Sequence, residues 1–397
     1  MKKLQANTLF LVCIGHGYND IFWLFLPLAL PILREEFRLS YTQSGLLLSF
    51  YALIIAAFSF LSGHLGDLYG RGRILSVGFL LTAVGYISLV FLKSFASMLI
   101  VLAVAGIGVS TFHSLAPPLL SEQFRQRKAI LFGIFEASGS AGILLMMYFF
   151  GILVSSMGWR PISALIAMMG LPLALIFYKE DLPISSSQSK RTQKIRPSRT
   201  DMVIFFLSRA LRSLGIVAIV SFIPLFVVDI LSLSIQSAAF FSGMIFFGGI
   251  IGSLITGWLS ESYRPLSVIA VLHILLLPIV LLVTLPGPLL LITLLLVVLG
   301  ICHIGFFPPQ DLWLSQVSHR AIRGKMFGVG MSLDTVAAAI APGLFGFVGD
   351  RWDLVSSFHW MLLPLAAAAT LFVVLRYSVS RSARIKILED SRLSPNQ

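Results

Sequence analysis

The stretch that decides the fold reads GHLGDLYGRGR, residues 63–73, and it connects two long apolar segments. A partial copy, GWLSESY at residues 257–263, follows 194 positions later, with Gly, Leu, an acid and Tyr in matching places. At the same offset Gly106 corresponds to Gly300. A long repeat of this kind predicts two structurally matched halves.

Working outward from this loop, twelve apolar segments follow one another along the 397 residues. Hydrophobic residues make up 57% of the chain and charged residues only 12%, which excludes a water-soluble enzyme and a disordered protein. The segments are continuous, as in spanning helices of roughly 20 apolar residues, and do not alternate as in an outer-membrane barrel. Their bounds are 8–33, 43–62, 74–92, 96–120, 130–154, 160–178, 202–230, 236–259, 266–285, 288–316, 326–348 and 355–377.

The sequence therefore predicts an all-α membrane protein with twelve transmembrane helices in two six-helix bundles. Six spans is an even number, so the halves enter the membrane in the same direction and form a parallel pseudo-two-fold repeat. The N-terminal bundle covers 1–180, a basic and Ser-rich cytoplasmic linker 181–201, the C-terminal bundle 202–380 and a cytoplasmic tail 381–397. The first span is interpreted as a retained helix and not a signal peptide, because no small-residue cleavage site follows it.

Orientation follows from the basic residues in the short loops. Twenty-two of the 29 Lys and Arg residues lie on the side of both termini and five on the opposite side. The positive-inside rule then predicts a multi-pass protein of the plasma (inner) membrane with both termini cytoplasmic. Topology also accounts for the net charge of +12 without a nucleic-acid partner. The expected partners are the lipid bilayer, protons and a small-molecule substrate, and the expected state is a monomer.

The loop at 63–73 resembles the signature loop of the major facilitator superfamily. The positions that carry the resemblance are Gly63, Leu65, Asp67, Gly70, Arg71 and Arg73. Gly63 is expected to let two helices approach closely, Gly70 to permit a tight turn, and Asp67 to cap a helix or pair with an Arg. Such a charge clasp would hold the halves together in one conformation and open in the other. Leu68 replaces the usual Arg and Gly72 interrupts the basic run, so a weakened clasp is expected.

Ionisable groups inside spans are costly in hydrocarbon and are functional candidates. The resemblance implies that spans one, four, seven and ten line a central cavity, whereas spans three, six, nine and twelve are peripheral. The cavity candidates are His16, Asn19, Asp20 and Trp23 (span one), His113 (four), Arg209 and Arg212 (seven), and His303 and Asp311 (ten), together with Glu136 (five) and Asp334 (eleven). His16 and Asp20 are four residues apart and share a helix face.

Proton coupling requires an acid whose surroundings alternate between water and protein, because burial and nearby cations change its proton affinity. Asp20 is the first candidate and Glu136 the second; the alternatives are a structural pair for Asp20 and an ion pair at the cytoplasmic end for Glu136. Arg209 and Arg212 are candidates to bind a substrate anion or to form internal salt bridges. If each arginine takes one acid, two of the four buried acids remain unpaired. His303, like His273, is interpreted as a hydrogen-bonded core residue.

A narrower resemblance comes from GHGYND, residues 15–20, followed by Pro27 and Pro31. This stretch is similar to the opening of the fosmidomycin-resistance group of efflux proteins. Leu102 stands where typical drug:proton antiporters of the superfamily carry an Arg in span four, and Ser140 stands where they often carry a Pro in span five. The usual antiport relay is therefore in question, with His113 as its candidate replacement.

These observations predict a secondary transporter that exports a small organic or amphiphilic solute in exchange for protons, by alternating access. Proton-linked uptake of an organic anion is one alternative, and a non-transporting membrane receptor or scaffold is another. HExxH and GxSxG motifs are absent from the sequence, so an enzyme is not expected. No ATP-binding loop is present, so the energy must come from an ion gradient, and no cofactor or metal is expected.

Overall fold

The structure, a computed structural model, describes residues 2–123, 128–179, 197–318 and 323–393. Within these residues twelve helices are long and apolar enough to cross a membrane, which confirms the predicted number of spans. They are α1 Asn7–Phe37, α2 Tyr41–Tyr69, α3 Arg71–Phe91, α4 Phe95–Pro117, α5 Lys128–Met157, α6 Trp159–Lys179, α7 Arg199–Ile230, α8 Ile235–Ser262, α9 Pro265–Val283, α10 Leu289–Val317, α11 Met326–Arg351 and α12 Leu354–Arg381.

The helices form two bundles, α1–α6 and α7–α12, joined along two long seams. At one seam α2 packs against α11, and at the other α5 packs against α8. Because each half contains six spans, α1 and α7 start on the same side of the bundle. We name the side where α1, α7 and α11 begin the termini face, and the side where α2, α8 and α12 begin the far face.

Several helix bounds differ from the sequence prediction. The second span, predicted over 43–62, extends as α2 to Tyr69. The second half begins with α7 at Arg199, where Ser198 and Asp201 form a reciprocal capping box, so the predicted linker end at 201 is three residues too late. Residues 180–196 of that linker lie outside the described residues. The helix of α12 continues to Leu393, into the predicted tail.

The helix of α10 is broken at Gly305 and Phe306, which the hydropathy pattern did not indicate. The physical cause is the pair Pro308 and Pro309, which lack backbone N–H groups and release the carbonyls one turn earlier. The break places His303 at the end of one helical piece and Asp311 in the next. It therefore positions two of the predicted cavity residues.

The loop between α2 and α3 is a single residue, Gly70. Its φ of +96° lies in a region that favours glycine, which confirms the predicted tight turn. The expectation for Gly63 is wrong, because among the described residues an added Cβ there would meet only Ser114, at 3.9 Å; the close approach is one turn later, where Gly66 lies against Leu115. Asp67 is exposed.

Asp67 contacts Arg71 of its own loop at 3.7 Å. The carboxylate and its partner therefore both belong to the N-terminal half. In this conformation the described contacts of Asp67 do not include the bridge between halves that a charge clasp would form.

On the far face, polar contacts join the two halves directly. Arg34 of α1 forms a 2.5 Å salt bridge with Asp229 of α7, and the Tyr41 hydroxyl donates to the same carboxylate at 2.8 Å. Asp350 of α11 accepts from the backbone N–H groups of Tyr41 and Thr42, at 2.9 and 2.8 Å, and so caps α2 from the other half. We name these contacts the far-face latch.

Candidate functional site

The first part of the site is a cluster of three side chains in the N-terminal half. Asp20 of α1 lies between two imidazoles: His16 Nε2 is 3.1 Å from its Oδ2, and His113 Nε2 of α4 is 2.8 Å from its Oδ1. Asp20 and His113 retain exposures of 17% and 18%, whereas His16 is fully buried. We name this cluster the His–Asp–His triad. By helical rise, Asp20 lies about 20 Å from the start of α1 at the termini face, close to the middle of that span.

His16 is held rigidly. Its ring stacks on Phe135 of α5, with centroids 3.7 Å apart, and on Phe112 at 5.7 Å. The Nδ1 atom is 2.7 Å from the Phe135 carbonyl oxygen, which can only accept, so Nδ1 carries the proton. The remaining nitrogen, Nε2, therefore faces Asp20.

Gly139 of α5 makes room for the triad. An added Cβ at this position would lie 2.5 Å from Asp20 Oδ2 and 2.8 Å from His16 Cε1. Neither atom can move freely, because each belongs to a side chain fixed by other contacts. Glycine is thus required here by the close approach of α5 to α1.

The second part of the site is formed by the C-terminal half. Arg209 of α7 pairs with Asp334 of α11, with Nη2 2.5 Å and Nε 3.2 Å from the same oxygen. Arg212, one turn further along α7, is fully enclosed but pairs with no carboxylate among the described residues. It donates instead to His303 of α10, to Nδ1 at 2.9 Å and to the backbone carbonyl at 2.5 Å.

The Arg212 guanidinium also lies 3.9 Å from the centre of the Phe306 ring. Because Arg212 only donates, His303 Nδ1 is the acceptor, which fixes the neutral tautomer with its proton on Nε2. Of the two alternatives considered for the arginines, Arg209 forms an internal salt bridge, whereas Arg212 has no carboxylate partner among the described residues.

Glu136 and Asp311 lie at the boundary between the halves. Both are partly buried, and Asp311 and Asp20 are within electrostatic range of Glu136. This arrangement arises because α5 packs against the second piece of α10, beyond the proline break. Gln310 donates to Asp311 at 3.2 Å. The described residues give Glu136 no ion pair, so the alternative of a Glu136 salt bridge at the end of the helix is not seen in this conformation.

Several enclosed polar atoms around these groups have no hydrogen-bond partner among the described residues. The donors are Asn19 Nδ2, Trp23 Nε1 and Arg212 Nε, and the acceptor is Gln310 Oε1. Trp23 lies beside the triad, with its ring centre 6.2 Å from that of His113. Unsatisfied donors in an apolar region are costly, and a solute that carries acceptor oxygens would relieve that cost.

The structure thus brings the predicted cavity residues into two clusters, one in each half, but it revises their partners. Gln310 is a site residue that the sequence interpretation missed, and the contact of His303 with Arg212 was not predicted; Pro308 and Pro309 were the signal that α10 changes direction beside them. His273, by contrast, is confirmed as a core histidine, since its Nδ1 is 2.8 Å from the Ile269 carbonyl oxygen within its own helix.

Twelve apolar helices in two matched halves, with ionisable groups enclosed between them, are typical of a membrane transporter. The match to a known family agrees with the fold. The sequence profile of the Major Facilitator Superfamily matches residues 12–342 and 205–394, and the chain belongs to that family.

Individual relatives are distant. An MFS-type transporter of Bacillus subtilis (strain 168), YwoD, is 27% identical over 56% of this chain and 48% of its own length. The fosmidomycin resistance protein of Escherichia coli (strain K12) is 23% identical over 62% of this chain and 63% of its own length. The cis,cis-muconate transport protein of Acinetobacter baylyi is 21% identical over 82% of this chain and 83% of its own length. The chain therefore spans less than two thirds of the first two relatives.

Among solved structures, a bacterial homolog of the human lysosomal transporter Spinster, in an inward-facing conformation, superimposes with a TM-score of 0.76. The two chains are 15% identical, and the superposition covers 96% of this chain and 98% of the other. The similarity establishes the fold.

Proposed function

We propose that this protein is a proton-coupled secondary transporter that exports a small organic solute bearing an anionic group. The observation that carries the proposal is the unequal pairing of charges at the boundary between the halves. Arg209 is neutralised by Asp334, whereas Arg212 is a buried cation without a carboxylate partner and Glu136 is a partly buried acid without a cation partner among the described residues.

In this proposal Arg212 binds the anionic group of the solute. Its Nε has no hydrogen-bond partner among the described residues, and a guanidinium presents a planar set of donors that suits carboxylate or phosphonate oxygens. Asn19 and Trp23 supply further unpartnered donors from the opposite half. A solute that contacts both halves would favour a closed site, as alternating access requires.

Glu136 carries the proton in this proposal, in preference to Asp20, whose carboxylate is already held by two imidazoles. The charged and titratable groups that face Glu136 are Asp311 on α10 and Asp20 on α1, the latter with His16 and His113 beside it. Two or more acids in a confined, partly dry space disfavour simultaneous ionisation, and rocking of the halves would separate Glu136 from Asp311. A proton would then be taken up on one side and released on the other.

The cytoplasm adjoins the termini face in this proposal, because the basic loop residues concentrate there. Export and uptake then differ in whether the solute and the proton cross the membrane in opposite directions or in the same direction. Proton-linked uptake of an organic anion remains the second candidate, because one relative is a cis,cis-muconate transport protein.

Purified protein in liposomes with an imposed pH gradient tests both, with radiolabelled fosmidomycin and cis,cis-muconate as probes. Antiport accumulates the probe in the acidic compartment, whereas symport accumulates it in the alkaline one. Glu136→Gln should abolish gradient-driven accumulation and retain downhill exchange, and Arg212→Gln should abolish both. Glu36→Gln, which removes an acid paired with Arg160 on the far face, is the control and should transport normally.

Wild-type accumulation by Glu136→Gln would refute the proton assignment. Transport of neither probe, together with no stabilisation of the protein by any member of a panel of organic anions, would favour the non-transporting receptor or scaffold.

A further inference from the structure

The His–Asp–His triad has the composition and spacing of a metal centre. One ligand atom each from His16, Asp20 and His113 lie within 4.8 Å of one another. Two imidazoles and one carboxylate form a ligand set that recurs at zinc and non-haem iron sites. Nitrogen ligands select transition metals over magnesium and calcium, which prefer oxygen.

The state of His16 provides an independent argument. This side chain is fully buried, and in the described part of the chain Nε2 has no hydrogen-bond partner with acceptable geometry, although it lies 3.1 Å from Asp20 Oδ2. The bond from Nδ1 to the Phe135 carbonyl leaves Nε2 as the ring nitrogen that can coordinate an ion, and Asp20 Oδ2 lies beside it. A cation between these two atoms would be coordinated by both.

The surroundings match those of a metal-binding histidine. The Nδ1–H of His16 donates to the Phe135 carbonyl, and such a second hydrogen bond is what orients the coordinating nitrogen in metal sites. The ring is also fixed by stacking against Phe135. The ligand therefore loses little conformational freedom when an ion binds.

The distances require only small adjustments. At metal–ligand distances of about 2.0–2.2 Å, tetrahedral geometry separates two ligand atoms by about 3.4 Å. The observed separations are 3.1 Å for His16 to Asp20 and 2.8 Å for Asp20 to His113. An ion between Asp20 and either imidazole would widen these two separations by about 0.3–0.6 Å, and the two imidazole nitrogens lie within 4.8 Å of each other.

We propose that His16 Nε2, the Asp20 carboxylate and His113 Nε2 bind a divalent transition-metal ion, with zinc as the best match. The ion would join α1 to α4 within the N-terminal half and keep at least one coordination position open. Glu136, which is within electrostatic range of Asp20, would offset the remaining positive charge. The inference depends neither on the identity of the solute nor on the coupling ion.

Calorimetric measurement of zinc binding tests the inference. The protein is the purified full-length chain with Cys13→Ser, prepared without a histidine tag. We expect one saturable site per chain, a rise in the thermal unfolding midpoint on addition of zinc, and a tetrahedral absorption spectrum with cobalt. Asp20→Asn and His113→Gln should each weaken binding about tenfold or more. The matched control is His64→Gln, since His64 is an exposed histidine of the same half.

A ligand-preserving variant separates loss of binding from loss of folding. His113→Cys retains a metal ligand and should bind cadmium with a thiolate-to-metal charge-transfer band, which Asp20→Asn in the same background should remove. Absence of a saturable zinc site in the wild type would overturn the proposal. Zinc binding that Asp20→Asn and His113→Gln leave unchanged would also overturn it, because the ion would then be bound elsewhere.

Discussion

At the scale of single residues, the two arginines of α7 differ in their surroundings although they lie three positions apart. Arg209 is 5% exposed and forms a close ion pair with Asp334, whereas Arg212 is bound by His303 and the Phe306 ring. A buried ion pair contributes little net stability compared with apolar packing, but removal of one partner leaves an uncompensated charge. The Arg209–Asp334 pair is therefore expected to be structural.

Arg209→Gln is expected to destabilise the protein by about 2–4 kcal/mol, because it leaves the partly buried Asp334 carboxylate unpaired. The double variant Arg209→Gln with Asp334→Asn should recover much of that loss. Thermal unfolding in detergent measures both. Arg160→Gln, which breaks the more exposed pair with Glu36, is the control and should cost less than about 1 kcal/mol. A double variant as unstable as the single one would contradict the interpretation.

At the scale of elements, capping and turn chemistry set where the spans begin and end. Ser198 caps α7 and Ser40 caps α2, each in a reciprocal box with the residue three positions later. Asp353 caps α12, and hydrogen bonds from Ser356 lower the pKa of its carboxyl group. That cap is thus fully charged at neutral pH, and its contribution disappears only as the pH falls through the lowered value.

The one-residue turn between α2 and α3 gives a direct test at this scale. Gly70→Ala should destabilise the N-terminal half by about 1–3 kcal/mol, since φ of +96° is unfavourable for any residue with a Cβ. The change should appear in thermal unfolding midpoints. Gly328→Ala in α11, where an added Cβ meets no described atom within 4 Å, is the matched control and should be neutral or slightly stabilising. Equal behaviour of the two variants would refute the role of the turn.

At the scale of the whole molecule, polar contacts between the halves are concentrated at the far-face latch. On the termini face the described contacts include one hydrogen bond, from the Ala129 N–H to Glu261 at 3.2 Å. Asp67 of the signature loop pairs within its own half there. The far-face latch thus stabilises contact between the halves at the far face, and opening that face requires loss of the Arg34–Asp229 salt bridge.

Asp229→Asn should shift the population towards a conformation open at the far face. The measurement is the rate of disulfide formation between Ser49→Cys and Gly343→Cys in a chain with Cys13→Ser and Cys302→Ser. An added Cβ at Gly343 lies 4.0 Å from the Ser49 Cβ, within disulfide range. The rate should fall in Asp229→Asn and stay unchanged in Glu36→Gln, whose pair with Arg160 lies within one half. An unchanged rate in Asp229→Asn would contradict the latch.

Much of this architecture could be predicted from the sequence. The span count, the tight turn at Gly70 and the concentration of ionisable groups in α1, α4, α7 and α10 follow from hydropathy and spacing. The partners of those groups did not follow. His303 is a buried, hydrogen-bonded histidine as predicted, but its contact with Arg212 depends on the break of α10 and on how the freed backbone packs.

By itself, the sequence determined that this chain crosses the membrane twelve times in two matched halves, because hydropathy and length are local properties of each segment. Only the tertiary structure decided that Asp20 lies between His16 and His113, that Arg209 pairs with Asp334, and that Arg212 contacts His303. The physical reason is that pairing depends on the rotation of each helix about its own axis and on its depth beside distant neighbours. Close packing fixes both, and no single span encodes either.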